Sequence, residues 1–293
     1  MLLEQRIKNL KHMSLSQQII GDFILEKRYQ IKEMSTRDIA KMTYTSSATV
    51  VRFAKKLGYE GFNDLKNDYL NELYYIDTHF NHVDANFPFN KNNSLTEIAG
   101  KINNLYKETI DDSLSLIDFD QLQKAIEIMQ TSATIHIFGL GSSLLFGKRF
   151  KYQMTRIKKR VEIETLAGEY GFNINLVYQD DCAIIISYSG ESTTVINHAK
   201  LLKEKKIPII AITSLGDNHL KEYADIILHI TTREKQYSKI GNFSSEYSIQ
   251  YLLDLLYTGF FALNYDQNLD NKIQLSKTIE KCRHPQSNII KED

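Results

Sequence analysis

Cysteine is scarce in this sequence, since its 293 residues include only Cys182 and Cys282. Two cysteines cannot build a disulfide framework, and neither has Cys or His neighbours at the spacing of a zinc site. We therefore expect no disulfide framework and no bound metal in this protein. No motif in the sequence predicts a cofactor either.

Long apolar runs are also absent. The longest ones, at 183–186 and 207–212, have the length of strands and fall far short of the ~20 residues that a transmembrane helix needs. The N-terminus lacks the apolar stretch ending in small residues that marks a secretory signal. These absences predict a cytoplasmic protein that has no membrane partner.

The chain has no net charge, because 36 Lys and Arg residues balance 36 Asp and Glu residues. This average conceals an asymmetry between the two ends. Residues 1–66 contain twelve basic and seven acidic residues, a net charge of +5, so the remainder carries −5. Because phosphate contacts supply most non-specific DNA affinity, the asymmetry favours a DNA-facing N-terminus, although ordinary fluctuation would also explain it.

A change in hydrophobic pattern divides the chain into two parts. Up to about residue 73 the apolar residues recur at helical spacing and no run alternates. Periodicity is lost at 79–93, a stretch rich in Asn and Asp that is typical of a loop. We therefore predict an all-α domain, a linker, a second domain and a polar, weakly patterned tail, at residues 1–78, 79–93, 94–265 and 266–293.

The second domain alternates helices with short runs rich in β-branched residues. Such runs are typical of strands in a parallel sheet that helices cover on both faces. The sequence therefore predicts an α/β fold for this domain. The predicted strands lie at 134–138, 161–164, 183–188, 207–213 and 226–230.

The segment at 35–57 carries the signals of two short consecutive helices. Ser35 followed by Asp38 is a variant of the capping box that starts a helix. After a short turn, Ser46 is a good N-cap for a second helix, and Gly58 provides the left-handed geometry that ends many helices. Two helices joined in this way predict a helix-turn-helix motif, which places its second helix in the major groove of DNA.

The second of these helices has one apolar face, and its other residues point outward or toward a groove. Residues early in a recognition helix reach base edges, so Ser47, Thr49 and Arg52 are candidates for reading sequence. Lys55 and Lys56, in the last turn, are candidates for phosphate contacts. A solvated helix with incidental charges would show the same pattern. The predicted DNA-binding residues are Ser46, Ser47, Thr49, Arg52, Lys55 and Lys56.

A loop with two glycines at 139–143, here called the glycine loop, directly follows a predicted strand and opens a helix. Its amides and hydroxyls therefore lie at the carboxyl edge of the sheet, where α/β folds bind ligands, and they suit an anion. The loop lacks the third glycine of a dinucleotide-binding fingerprint. A plain tight turn is the alternative interpretation.

A second loop at 187–192, here called the serine loop, follows another predicted strand. It is better evidence for anion binding, because hydroxyls and free amides at a helix N-terminus form a phosphate cradle without any lysine. A helix cap alone would explain Ser192, but it would not explain Ser187 and Ser189 as well. The sequence therefore favours phosphate binding at this loop.

Two motifs of the helix-turn-helix segment occur together and in a fixed order: Thr49-Val50-Val51-Arg52-Phe53 and Leu57-Gly58-Tyr59-Glu60-Gly61-Phe62. With these motifs the segment resembles the N-terminal domain of the RpiR family of bacterial regulators over roughly residues 15–66. Family members usually have glycine in the turn where this chain has Tyr44. Tyrosine disfavours a positive φ, so we expect the turn to be reshaped.

The two loops, together with residues 209–214 and 223–225, are similar to the sugar isomerase (SIS) domain, over about residues 120–265. The SIS domain is the partner domain of the same family. This resemblance implies a five-stranded parallel sheet flanked by helices, phosphosugar binding, and dimers or tetramers. Ser192 stands where the family usually has threonine, and it keeps the hydroxyl. The predicted sugar-phosphate-binding residues are Gly141, Ser142, Ser143, Ser187, Ser189, Gly190 and Ser192.

The two resemblances together predict a transcriptional regulator of carbohydrate metabolism genes. It would bind double-stranded operator DNA as a homodimer or homotetramer, and a sugar phosphate on the SIS domain would modulate that binding. The alternative function is a sugar-phosphate isomerase or lyase, since SIS domains also occur in such enzymes.

An isomerase needs a general base beside C1 and C2 of the sugar. Glu164, Glu169 and Glu246 are possible bases. His198 is also a possible base, but a surface position is expected for it. Glu191 starts a helix, a position where acidic residues are favoured without any catalytic role. None of these residues carries a specific signal, so we predict no catalytic residue and a protein that is not an enzyme.

Overall fold

Five short strands form one parallel sheet in the computed structural model of this chain, which confirms the predicted α/β fold. Each strand agrees with a predicted one to within two residues at either end, and Glu164, predicted in the second strand, lies outside the described residues. The strands are β1 (Thr134–Gly139), β2 (Arg160–Ile163), β3 (Cys182–Ser187), β4 (Ile209–Ser214) and β5 (Ile226–Ile230). Their order across the sheet is β2-β1-β3-β4-β5.

The structure describes residues 13–79, 83–163 and 174–279, with residues 3, 6, 7, 10 and 289, except for the side chains of 74–79. Two compact units divide the chain. The first comprises Met1–Asp112, Ser214–Asn218 and Thr232–Ser244, and the second comprises Ser113–Thr213, His219–Thr231 and Ser245–Asp293. The domain bounds derived from the sequence stay predictions, although residues 83–94 contain neither helix nor strand.

The N-terminal part of the chain is helical, as the sequence predicts. Its core consists of apolar side chains that recur at helical spacing, such as the fully buried Ile20, Ile24 and Phe53. The helices are α1 (Leu15–Lys27), α2 (Thr36–Met42), α3 (Ser47–Lys56), α4 (Phe62–His79) and α5 (Leu95–Ser115), with a 3-10 helix at Arg28–Glu33.

Further helices precede, separate and follow the strands. The segment expected as a weakly patterned tail begins with a helix, α10, in which Leu269 and Ile273 share one face. None of the described helices is both long and apolar enough to cross a membrane. The helices are α6 (Phe119–Thr131), α7 (Ser143–Thr155), α8 (Thr193–Glu204), α9 (Phe243–Leu263) and α10 (Tyr265–Ile279), with 3-10 helices at Ile174–Leu176 and His219–Glu222.

Apolar side chains cover both faces of the sheet. Along β3, Ile184 and Ile186 belong to a cluster with residues of α6, α7 and α9, whereas Ala183 and Ile185 belong to a cluster with α8. Successive side chains of a strand point to opposite faces, so an uninterrupted apolar run fills two cores at once. This arrangement buries all six residues of β3.

The strand order reverses between β1 and β3. From β1 the chain moves outward to β2, and it then returns to the other side of β1 to form β3. Connections that leave two neighbouring strands in opposite directions open a crevice at their carboxyl ends, which is where open α/β sheets bind ligands. The glycine loop follows β1 and the serine loop follows β3, so both predicted anion loops lie at this switch point.

Candidate functional site

The helix-turn-helix motif begins and ends where its local signals predict. Ser35 and Asp38 form a reciprocal capping box at the start of α2, with the Ser35 amide donating to Asp38 Oδ2 over 2.8 Å. Ser46 caps α3, since its hydroxyl accepts the Thr49 amide at 3.2 Å. After α3, Gly58 has a φ of +92°, the left-handed geometry expected at that position.

The turn between α2 and α3 places Tyr44 in the left-handed conformation, with a φ of 51°. The expectation of a reshaped turn is therefore wrong, because the tyrosine adopts the backbone geometry that glycine provides at no steric cost. Its side chain is 98% exposed and gains no burial from this position. Neighbouring contacts hold the turn, because the Thr43 hydroxyl donates to the Ile39 carbonyl at 2.7 Å and the Thr45 amide donates to the Ala40 carbonyl at 2.8 Å.

Helix α3 buries its apolar face and exposes a connected row of polar side chains. Val50, Phe53 and Ala54 are fully buried. On the exposed side, the hydroxyls of Ser46 and Thr49 lie 2.9 Å apart, and Arg52 Nη2 donates to Thr49 Oγ1 at 3.1 Å. The row therefore orients the Arg52 guanidinium before any DNA is bound.

The remaining DNA-binding candidates also lie on α3. Ser47 is half-buried at the first helical position, while Lys55 and Lys56 are exposed in the last turn. The ammonium group of Lys56 donates to Gln17 Oε1 of α1 at 3.4 Å. The structure thus brings all six candidates together on one helix and its cap, and their contacts with DNA stay predictions.

The glycine loop and the serine loop approach each other closely where β1 and β3 end. Gly139, the first residue of the glycine loop, pairs in the parallel register with Ile186, which directly precedes the serine loop. A β-carbon on Gly139 would lie 3.0 Å from the Ile186 carbonyl oxygen and 3.3 Å from the Ser143 β-carbon. Glycine at this position therefore lets the start of α7 pack against the end of β3.

The serine loop holds its hydroxyls by internal hydrogen bonds. The Gly190 amide donates to Ser187 Oγ and the Glu191 amide donates to Ser189 Oγ, each over 3.2 Å. Gly190 has a φ of +64°, which allows the tight turn that these bonds require. Each hydroxyl accepts an amide hydrogen and keeps its own hydrogen, so both can donate to an anion.

Two helix N-termini open at the same place. Ser142 precedes α7 and Ser192 precedes α8, and neither side chain caps its helix. The first amides of an uncapped helix lack partners within the helix and carry a partial positive charge. Hydroxyls and amides from both loops therefore converge on the switch point, where they can bind a phosphate group.

A residue that the sequence did not single out, His219, is bound to the serine loop. Its amide donates to Glu191 Oε1 at 3.2 Å, and its ring Nδ1 lies 2.6 Å from Glu191 Oε2. The hydrogen bond and the charge of Glu191 raise the pKa of the imidazole. His219 lies between β4 and β5, about 28 residues from its partner, and only the pairing of β3 with β4 brings the two together.

The structure also describes some of the candidate bases of an isomerase. His198 is buried on α8, where its ring packs 5.7 Å from that of Phe138, so the expectation of a surface position is wrong. Burial lowers its pKa. Glu246 is half-buried in α9, and Glu164 and Glu169 lie outside the described residues. In the described part of the chain, no three His, Cys, Asp or Glu side chains cluster as metal ligands.

Two family models match this chain. The model of the helix-turn-helix domain of the rpiR family matches residues 1–73, and that of the SIS domain matches residues 128–258. These matches confirm both resemblances found in the sequence. Together they span the helix-turn-helix motif and all five strands of the sheet.

Solved structures share the fold at low identity. The Vibrio vulnificus NanR protein, complexed with ManNAc-6P, has a TM-score of 0.63 and 21% identity over 97% of this chain and 100% of its own. The sugar isomerase domain of an RpiR transcription factor from Sphaerobacter thermophilus has a TM-score of 0.55 and 15% identity over 61% of this chain and 98% of its own. A putative sugar-phosphate isomerase from Listeria monocytogenes has a TM-score of 0.52 and 16% identity over 64% of this chain and 99% of its own.

Proposed function

This chain is an RpiR-family protein in which a helix-turn-helix domain precedes a SIS domain, and on that premise we propose that it is a transcriptional regulator that responds to a sugar phosphate. Operator DNA binds along the exposed row of α3. A phosphosugar binds where the glycine loop and the serine loop meet. The bound phosphosugar modulates the protein's affinity for the operators of carbohydrate metabolism genes.

The convergence of the two loops is the observation that carries the effector site. Ser187 and Ser189 each keep a hydroxyl hydrogen that can be donated, and the N-termini of α7 and α8 are uncapped. A dianionic phosphate makes use of hydroxyl donors, free amides and two helix dipoles at once. A neutral sugar would leave the amide donors without an ionic partner.

We propose the chemical class of the effector from a structurally similar regulator. The Vibrio vulnificus NanR protein is complexed with ManNAc-6P, and its fold covers nearly the whole of this chain. We propose a phosphorylated sugar of this general size for the present protein. N-acetylmannosamine 6-phosphate is therefore the first compound to test, beside hexose and pentose phosphates.

We also propose that the protein binds its ligand without converting it. Of the bases considered, His198 is buried against Phe138 rather than presented to solvent. The alternative is isomerisation, as in the SIS enzymes. Incubating the purified protein with each sugar phosphate and following the anomeric and C2 protons by NMR checks this, and any turnover above a protein-free control would favour the enzyme.

The proposed assembly is a homodimer or a homotetramer. Two helix-turn-helix domains at a fixed spacing fit two operator half-sites. An apolar stripe supports self-association, because the rings of Tyr257, Phe261 and Tyr265 make successive edge-to-face contacts along α9 and α10. The exposed Leu269 and Ile273 continue the row on α10. Contiguous exposed apolar surface of this kind is typical of protein interfaces.

The regulator function is tested by gel-shift titration of the promoter upstream of the protein's own gene. Full-length protein should bind this DNA more tightly than a scrambled sequence at moderate salt. An effector should change the midpoint of that titration in one direction, because a ligand alters binding only as far as it discriminates between two states. Equal binding to both DNAs would contradict the proposal.

A further inference from the structure

We propose that His219 is a positioning residue that keeps the Glu191 carboxylate away from the anion site at the N-terminus of α8. This inference rests on the proposed function, since it concerns the same phosphate-binding loop. It assigns a role to two side chains that make no part of the cradle itself.

The carboxylate of Glu191 lies beside the N-terminus of α8, where it can interfere with anion binding. Glu191 directly precedes Ser192, the N-cap of α8, and the Ser192 hydroxyl makes no capping bond. The free amides and the helix dipole at this end attract any nearby carboxylate. A glutamate here can therefore occupy the anion site from within the chain or repel a phosphate that enters it.

The contacts of His219 direct this carboxylate elsewhere. One Glu191 oxygen accepts the His219 amide at 3.2 Å and the other lies 2.6 Å from the imidazole Nδ1, so both oxygens are engaged. A third hydrogen bond joins the 3-10 helix at His219–Glu222 to the serine loop, because the Leu220 amide donates to the Gly190 carbonyl at 3.1 Å. The segment at His219–Glu222 thus holds the carboxylate by its side chain and the serine loop by its backbone.

The proposal predicts a specific pattern of double mutants. His219→Ala should weaken binding about ten-fold, because the released carboxylate competes at the helix N-terminus. Glu191→Gln should bind at least as tightly as the wild type, since no carboxylate remains to compete. The double variant His219→Ala with Glu191→Gln should recover the lost affinity, which a purely structural role of His219 would not allow.

The experiment is calorimetry of the full-length protein at pH 6.0, where the His219–Glu191 pair contributes fully, with three probes: inorganic phosphate, glucosamine 6-phosphate and N-acetylmannosamine 6-phosphate. Glu222→Gln is the matched control, because Glu222 lies in the same short segment and makes no hydrogen bond to the serine loop in the described part of the chain. It should leave the affinity of every probe unchanged, which separates the role of the His219–Glu191 contact from a general effect of removing a negative charge.

The possible results separate this inference from the proposed function. Wild-type affinity for His219→Ala, or a double variant as weak as His219→Ala, would overturn the positioning role alone, provided that Ser189→Ala weakens binding of the same probe. A wild-type protein that binds none of the three probes would overturn both the effector site and the role of His219. Rescue in the double variant supports both.

Discussion

At the scale of single residues, the serine hydroxyls are the groups that distinguish the proposed anion site from an ordinary turn. Ser189 accepts the Glu191 amide and keeps a hydrogen to donate. We expect Ser189→Ala to weaken phosphosugar binding by roughly one to two orders of magnitude, since a hydrogen bond to a charged group contributes about 1.5–3 kcal/mol. Calorimetry measures this loss. DNA binding without ligand is the control and should not change, whereas unaltered phosphosugar affinity would remove Ser189 from the site.

The proposed roles of Arg52 and Lys55 differ in kind, since we propose that Arg52 reads base edges and that Lys55 contacts phosphates. Arg52→Ala should weaken binding to the specific operator by about 1–3 kcal/mol, the value of a bidentate base contact. Lys55→Ala should lower the salt slope by about one and change sequence preference little. Gel shifts on specific and random DNA across a salt series measure both. Equal losses of Arg52→Ala on the two DNAs would contradict its role in reading sequence.

The imidazole of His219 gives a direct measure of its bond to Glu191. The hydrogen bond to Glu191 raises its pKa, the charge of Glu191 adds to this, and Glu222 contributes further. Because the pKa is raised in the folded protein, the pair stabilises the loop at pH values below the unfolded pKa of about 6.5. This stabilisation is lost as the pH rises through the pKa of the folded protein. NMR titration should show the imidazole pKa above 6.5 in the wild type and close to it in Glu191→Gln. The same value in both proteins would contradict the contact.

At the scale of elements, the turn between α2 and α3 carries a measurable strain. Tyr44 adopts a φ of 51° although its side chain is 98% exposed. The left-handed region costs a residue with a β-carbon about 1–2 kcal/mol. Replacing tyrosine by glycine removes this strain, but about 0.5–1 kcal/mol of the gain is lost because glycine loses more conformational entropy on folding. Tyr44→Gly should therefore stabilise α2 and α3 by up to about 1 kcal/mol.

Hydrogen exchange at the amides of α2 and α3 measures this change in stability. Tyr44→Ala is the matched control, because alanine keeps the β-carbon and removes only exposed atoms. It should leave the exchange protection nearly unchanged. Protection that rises as much for Tyr44→Ala as for Tyr44→Gly would show that the side chain, rather than the backbone conformation, limits the stability of this element.

At the scale of the whole molecule, we expect the apolar stripe of α9 and α10 to form the interface between subunits. Introducing charges by Leu269→Glu with Ile273→Glu should lower the mass measured by light scattering after gel filtration, because a buried unpaired carboxylate destabilises an interface. Gln274→Glu adds a carboxylate elsewhere on α10 and should leave the mass unchanged. A wild-type protein that is monomeric at micromolar concentration would contradict the proposed dimer.

The sequence alone determined the features that depend on neighbours in the chain. The capping box at Ser35, the N-cap at Ser46 and the left-handed Gly58 are local hydrogen-bond and backbone preferences, and each appears in the structure as predicted. The five strands were equally readable, because apolar β-branched runs of this length form buried parallel strands. The family resemblances rest on these local motifs, and the family models confirm them.

Only the tertiary structure decided which of these segments meet. The strand order puts β1 beside β3, and this non-local pairing turns two separate loops into one candidate site. The contact between His219 and Glu191 depends on the pairing of β3 with β4, and the burial of His198 depends on how α8 packs against Phe138. Hydrophobic periodicity specifies which face of an element is buried. It does not specify the element against which that face packs, because apolar burial is non-directional.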